Sequence, residues 1–359
     1  MGEGMTIREI VARPVTVPLD RPMRTAMGAI PVAPLVLIDV TTHEGVTGRS
    51  YLFAYTKPAL EPLARLVTEI GAELIGEIAA PIERMRGFDR RFRLLGWQGL
   101  VGMAVAGLDM AFWDILGRAV GLPLVRLLGG IPRAIKAYDS FGILDIPADE
   151  AGILASVAAG FRGIKIKLRG GDPARDRADV AAVRAMIGPD VALMVDYNQS
   201  LDPVEACRRI DGLARFDLTW VEEPVPAENL AGHARVRAGS PVPIQSGENW
   251  WFPRGAAEAI AAGASDHAML DVMKIGGVTG WLEAAALCRA ASMPVSSHGF
   301  VEASAHLLAV TPTALWLEYL DKASPILARP VVVDQGLVIA QGPGLGLDWD
   351  EAAIARLLA

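Results

Sequence analysis

The chain has 359 residues, 52% of them hydrophobic and 21% charged, with a formal net charge of −7. That much apolar content supports one large or two ordinary cores and excludes general disorder. The acidic balance, without any lysine- or arginine-rich block, excludes a surface built for nucleic acid. No run of about 18 uninterrupted apolar residues occurs, so no membrane span is expected. The opening Met1-Gly2-Glu3-Gly4-Met5 has no basic region followed by an apolar run, so no signal peptide is expected either. Two isolated cysteines, Cys207 and Cys288, fall in helix-like segments and read as reduced core residues. A cytoplasmic enzyme is the default expectation.

In chain order, residues 6–18 and 34–42 are rich in Val, Ile and Thr and read as antiparallel strands. The connection between them, Asp20 to Pro31, is too long for a tight turn and reads as a loop. It carries Met23, Met27 and Ile30, unusual in a solvated loop and suited to covering something apolar. Tyr51 to Tyr55 is a second candidate for the same rim. Pro58–Ile75 reads as an amphipathic helix, and Leu100–Val120 as a long apolar one ended by Gly121-Leu122-Pro123. Asp109 and Asp114 on that second helix are read as structural carboxylates. A boundary is placed at Leu127-Leu128-Gly129-Gly130.

From Ala134 onward strands and helices alternate. Eight strand candidates end at Ser140, Leu168, Tyr197, Glu223, Gly247, Val272, His298 and Tyr319. Eight strands with intervening helices match a (β/α)8-type barrel, with some crossovers short enough that one helix is missing. The expected division is 1–130 for an N-terminal α+β unit, 131–322 for the barrel, and 323–359 for a segment packing back on the N-terminal unit. Gly342-Pro343-Gly344-Leu345-Gly346 lacks the strand–turn–helix setting of a phosphate loop and reads as a turn.

Catalytic groups of such barrels stand at the carboxyl ends of the strands. Asp196, Glu222 and Glu248 recur there at an interval of 26 residues, about one βα unit. Three adjacent carboxylates repel one another unless a cation lies between them, and an all-oxygen set suits Mg²⁺. Asp271 and His298 end the sixth and seventh strands, and a carboxylate on the ring N–H makes a histidine base. Gly163-Ile164-Lys165-Ile166-Lys167-Leu168 places both lysines on one strand face. Taken alone, that pair is as consistent with a solvated edge strand as with an active site. With the carboxylates as counter-charge, it is read as buried. Mutual repulsion is expected to lower one lysine's pKa enough for it to act as a base, across the barrel mouth from His298.

These residues resemble the enolase superfamily, and within it the mandelate racemase subgroup. The resemblance runs along essentially the whole chain. It rests on Lys165-Ile166-Lys167, Val195-Asp196-Tyr197-Asn198, Trp220-Val221-Glu222-Glu223-Pro224, Gly247-Glu248-Asn249-Trp250, Asp271 to Trp281, Ser296-Ser297-His298 and Trp316-Leu317-Glu318. It implies a (β/α)7β barrel with an α+β capping domain that the C-terminal segment completes. It implies Mg²⁺ on Asp196, Glu222 and Glu248, with Asn198 among the substrate-binding residues. Lys167 and the His298–Asp271 pair would be opposed bases. Lys165 and a protonated Glu318 would hold the substrate carboxylate as it becomes an enediolate, with Ser140 as a further contact. Met23, Met27, Ile30, Tyr55 and Leu320 would form an apolar lid. The implied activity is racemisation of a 2-hydroxy acid such as mandelate; the alternative is dehydration of an acid sugar. The partners implied are a small carboxylic acid and copies of the chain in a homo-oligomer, an octamer by resemblance. Arg24, beside Met23, departs from the subgroup's pattern; it either pairs with a second carboxylate or faces solvent, and solvent is the expectation.

Overall fold

A computed structural model describes residues 4–25 and 28–358. Three antiparallel strands open it: β1 (Ile7–Thr25), β2 (Gly28–Thr42) and β3 (Thr47–Phe53), in the order β1-β2-β3. The expected loop between residues 20 and 31 is instead the far end of a long β1–β2 hairpin. Pairing is continuous from Thr16–Pro34 to Pro18–Val32, breaks across residues 19–22, and resumes at Met23–Ile30 and Thr25–Gly28. The prolines of β1 sit where the ladder tolerates them: β1 is an edge strand, and Pro22 lies in the bulge. Met27 lies outside the described residues.

The helix Leu100–Ala119 packs behind this sheet. It is long and apolar enough to cross a membrane by length and composition, but 78% of its apolar window is buried, as suits a core helix. Asp109 and Asp114 are both structural. Asp109 accepts from Thr279 N at 2.9 Å and Thr279 Oγ1 at 2.6 Å, tying the helix to the barrel. Asp114 accepts from Arg49 N at 2.7 Å and Leu345 N at 2.6 Å, pinning the glycine-rich turn.

Burial pushes the Asp109 carboxyl up to about 7, against the pull of the Thr279 hydrogen bonds. The ordinary value is 3.8, so the folded chain holds this proton more tightly than the unfolded one. Its contribution to stability is complete below pH 3.8 and is lost as pH rises toward 7. The expected slope is about 1.4 kcal/mol per pH unit within that window. Asp109→Asn, which cannot titrate, is expected to remove that slope from denaturant-unfolding free energies measured between pH 4 and 7. An unchanged slope would refute the assignment.

The barrel strands are β4 (Ala134–Ile143), β5 (Gly163–Lys167), β6 (Ala192–Asp196), β7 (Leu218–Glu222), β8 (Ile244–Ser246), β9 (His267–Leu270), β10 (Val295–Ser297) and β11 (Leu317–Tyr319). Each pairs in parallel with the next from β4 to β10, and β11 pairs in parallel with β4. Backbone bonds from Ser297 N to Trp316 O and Leu315 N to Val295 O close the ring. Every crossover from β4 to β11 carries a helix, and none stands between β11 and β4, which gives the (β/α)7β form. Tyr138, Met194, Trp220, Met269 and Trp316 cluster as one apolar group, each contributed by a barrel strand or the residue before one. They make the barrel interior a packed core.

The strands β12 (Val333–Asp334) and β13 (Leu337–Ile339) form a hairpin that adds antiparallel to the start of β4. The chain then runs back to β1, where Leu358 bridges Val15 and Thr16 N donates to Leu357 O at 3.0 Å.

The hairpin tip is anchored to the barrel by charge and by close backbone approach. Arg21 makes a two-pronged ion pair with Asp139 on β4, at 2.6 and 3.1 Å, and stacks over Phe141. Arg24 keeps its side chain 42% exposed, in line with the expectation that it faces solvent, while it donates to Ile143 O at 2.8 Å and pairs with Asp149. A Cβ at Gly142 would lie 2.6 Å from both Arg24 N and Arg24 O, so only glycine lets the hairpin sit this close.

Candidate active site

The residues that end the barrel strands converge because each strand runs the same way and stops at the same level. In β5 the alternation sends Ile164 and Ile166 outward to the helices and both lysines inward, where they are buried. Asp196 and Glu222 end β6 and β7 and face each other in register. Glu248 follows β8 after Gly247, which has a φ of +137 and where a Cβ would lie 2.9 Å from Met269 N and O, so the position demands glycine.

Ligand atoms of Asp196, Glu222 and Glu248 lie within 4.8 Å of one another, and all three residues are buried. Glu248 Oε2 is buried without a hydrogen-bond partner among the described residues. A cluster of hard oxygen donors with an unused lone pair fits a divalent cation such as Mg²⁺. Asn198 steadies the first ligand, its N donating to Asp196 Oδ1 at 2.7 Å and its Nδ2 to Asp196 Oδ2 at 3.0 Å. Trp220 Nε1 and Gln245 Nε2 each donate to Glu222 Oε2 at 3.3 Å. Asn198, Gln199 and Glu223, just past two of the ligand-bearing strands, have φ of +43, +64 and +37. Left-handed conformations in non-glycine residues cost about 1–3 kcal/mol each and cluster at functional sites.

Lys165 Nζ lies 2.7 Å from Glu222 Oε1 and 2.6 Å from Glu318 Oε1, and Lys167 Nζ lies 2.5 Å from Asp196 Oδ2. These contacts reverse one expectation. Burial by itself would lower both ammonium groups, but Glu222 and Glu318 raise Lys165, and Asp196 raises Lys167 despite its sister lysine. Carboxylates outnumber lysines here, so lysine–lysine repulsion does not decide the outcome. Glu318 is corrected for the same reason. Burial pushes it up, yet Lys165 and His298 hold it well below the usual carboxylate range, so it is ionised and accepts bonds. It takes one from Gly299 N at 3.0 Å. By contrast Glu223, buried beside Glu248, is pushed up to about 8.

Asp271 follows β9 and His298 follows β10, neighbours in the ring. His298 Nδ1 meets Asp271 Oδ2 at 2.6 Å, and Asp271 Oδ1 accepts Met273 N at 2.7 Å, so the carboxylate is itself held. The other ring nitrogen, Nε2, lies 3.5 Å from Glu248 Oε2.

A cavity of about 630 Å³ opens over this floor. Lys167, Glu248 and His298 reach it from below, and Met23, Ile30, Phe53, Tyr55 and Leu320 wall it from above, with Asn198 at the side. Ser140 is placed elsewhere, in a neighbouring cavity of about 210 Å³ under the hairpin bulge. Met23, Leu320 and Lys322 line both cavities and form the wall between them. Two buried lysines on the larger cavity were missed in the sequence. Lys274, whose Nζ pairs with Asn249 Oδ1, stands in the quoted Asp271–Trp281 stretch and was recoverable from it. Lys322, past the last barrel strand, carries no local signal.

Comparison with known proteins agrees with this geometry. Residues 149–353 match the family model described as enolase C-terminal domain-like. Residues 7–129 match the mandelate racemase / muconate lactonizing enzyme N-terminal domain. The chain therefore belongs to the enolase superfamily, in its mandelate racemase/muconate lactonizing enzyme group. Among solved structures, an enolase from Bradyrhizobium complexed with magnesium and mandelic acid is 59% identical, with a TM-score of 0.98 and 100% of both chains covered. D-galactarolactone cycloisomerase of Agrobacterium fabrum is 31% identical over 94% of this chain and 95% of the relative. L-talarate/galactarate dehydratase of Salmonella typhimurium is 29% identical over 89% of this chain and 81% of the relative. The chain is thus a Mg²⁺-dependent enzyme of this superfamily, whose relatives carry out several reactions.

Proposed function

We propose that the enzyme racemises a 2-hydroxy acid with an aromatic or apolar substituent, mandelate or a close relative, by abstracting the proton next to its carboxylate. The observation that carries this reading is that Lys167 and the His298–Asp271 pair open onto one cavity whose lid is mostly apolar. The likeness to a structure solved with mandelic acid supports the choice of substituent.

Asp196, Glu222 and Glu248 would hold the magnesium ion. When bound, it would offset the Asp196 charge that keeps Lys167 protonated and would stabilise negative charge on the substrate carboxylate. Lys165, fixed between Glu222 and Glu318, holds its ammonium where that charge grows. Lys167 Nζ takes the α-proton from one face, leaving the electron pair delocalised into the carboxylate as an enediolate. His298 Nε2 gives a proton to the opposite face of the same carbon, and Asp271 keeps Nδ1–H oriented throughout. The reverse reaction restores both groups, so no net proton or electron is consumed.

Incubating the Mg²⁺-loaded enzyme with each mandelate enantiomer in D₂O is expected to give deuterium at the α-carbon together with interconversion, read by NMR and polarimetry. Exchange without interconversion would overturn the racemase reading.

A second reading, dehydration of an acid sugar, uses the same first step, with His298 protonating a leaving 3-hydroxyl. The polar donors Lys274 and Lys322 on the cavity wall favour it. A 2-keto-3-deoxy acid formed from an aldonate or aldarate would establish it.

A further inference from the structure

Four buried lysines border the site, and three have oxygen partners. Lys165 meets Glu222 and Glu318, Lys167 meets Asp196, and Lys274 meets Asn249. Lys322 does not. It is 4% exposed, and its Nζ is buried with no hydrogen-bond partner among the described residues. The ring faces of Phe53 and Phe300 lie 5.0 and 5.8 Å from it. Ring faces attract an ammonium but satisfy none of its three N–H donors. Burying such a group with its hydrogen bonds unmade is costly, and a ligand that supplied an acceptor would relieve the cost.

Gly299 bears on where the ammonium lies. A Cβ there would lie 2.8 Å from Lys322 Nζ, so a larger residue after the histidine base would push the ammonium from its place. Lys322 also lines the cavity that Lys167 and His298 enter. Burial pushes its ammonium below the ordinary lysine range, while Glu318 and Asp271 pull it partly back.

We propose that Lys322 is a substrate-binding residue whose ammonium takes an oxygen acceptor on the α-substituent of the 2-hydroxy acid. The preferred substrate then carries a hydroxyl or carboxylate oxygen on its substituent, with the rest of that substituent against Phe53 and Met23. The inference rests on the reading of the site as one for 2-hydroxy acids and refines it from a plain apolar substituent to one with a polar end.

The test uses full-length, Mg²⁺-loaded enzyme and three acids: mandelate, 4-hydroxymandelate and 2-hydroxyglutarate. Affinities are measured by calorimetry, and α-proton exchange in D₂O is followed in parallel. The unmodified enzyme is expected to bind one acceptor-bearing acid at least tenfold more tightly than mandelate, and the better of the two identifies the oxygen. In Lys322→Met that ratio is expected to fall to near one. Gly299→Ala, which keeps the lysine but crowds its ammonium, is expected to lower the ratio in the same direction and serves if Lys322→Met does not fold. Equal or unmeasurable affinities in the unmodified enzyme, or a variant that weakens all three acids alike, would overturn the proposal. Selective binding without exchange from any acid would instead count against the proton-abstraction reading.

Discussion

Replacing His298 with asparagine is expected to separate the two halves of the reaction. Asparagine can still bond Asp271 but cannot carry a proton to or from carbon. One mandelate enantiomer should go on exchanging its α-proton with D₂O through Lys167, while interconversion falls by about 10²–10⁴-fold, the usual worth of a positioned acid–base group. Lys167→Ala should give the mirror result, with exchange surviving only in the enantiomer that His298 serves. The prediction follows from how the two groups are held. Lys167 is tied to Asp196 on the β6 side, and His298 to Asp271 at the end of β9, so each has its own support. Losing one support should leave the other base in place. NMR of deuterium incorporation, run on each enantiomer separately, measures both halves. Loss of exchange from both enantiomers in each variant would sink the two-base arrangement.

The second large effect concerns the metal. Chelation with EDTA is expected to bring α-proton exchange down to the buffer rate, with recovery on adding Mg²⁺. The same ion should stabilise the fold, because it binds carboxylates that are gathered only in the folded chain. At one hundred times its dissociation constant the gain is about 2.7 kcal/mol, read as a higher unfolding midpoint. Glu222→Gln should lose most of that gain. It removes a ligand charge and also one of the two carboxylates that hold Lys165. An unfolding midpoint indifferent to Mg²⁺ in the unmodified enzyme would rule out Asp196, Glu222 and Glu248 as its site.

Much of the site was legible before any coordinates. The inward pointing of Lys165 and Lys167 follows from strand alternation, and the interval of 26 residues places one carboxylate at each of three consecutive strand ends. The pairing of Asp271 with His298 follows from their ending neighbouring strands. The barrel was legible for the same reason, since eight apolar runs alternated with helical ones. The hairpin was not. Its prolines and its bulge at residues 19–22 look like loop chemistry, and only the pairing that resumes past the break, from Met23–Ile30 to Thr25–Gly28, shows otherwise. The ion pair of Arg24 with Asp149, 125 positions later, carries no local signal either, although the side chain stays exposed.

What the sequence determined by itself, then, is the class of fold and the set of groups at the barrel mouth, because alternation and βα spacing are local rules that repeat along the chain. What only the tertiary structure decided is how those groups share charge and what lies above them. Glu318 is ionised because Lys165, from a strand 153 residues earlier, lies 2.6 Å away. Ser140 falls behind the wall formed by Met23, Leu320 and Lys322. Among the described residues Lys322 Nζ has no hydrogen-bond partner, and it lies where a Cβ at Gly299 would crowd it. Protonation and selectivity depend on distances of a few ångströms between residues remote in sequence, and no local pattern encodes those distances.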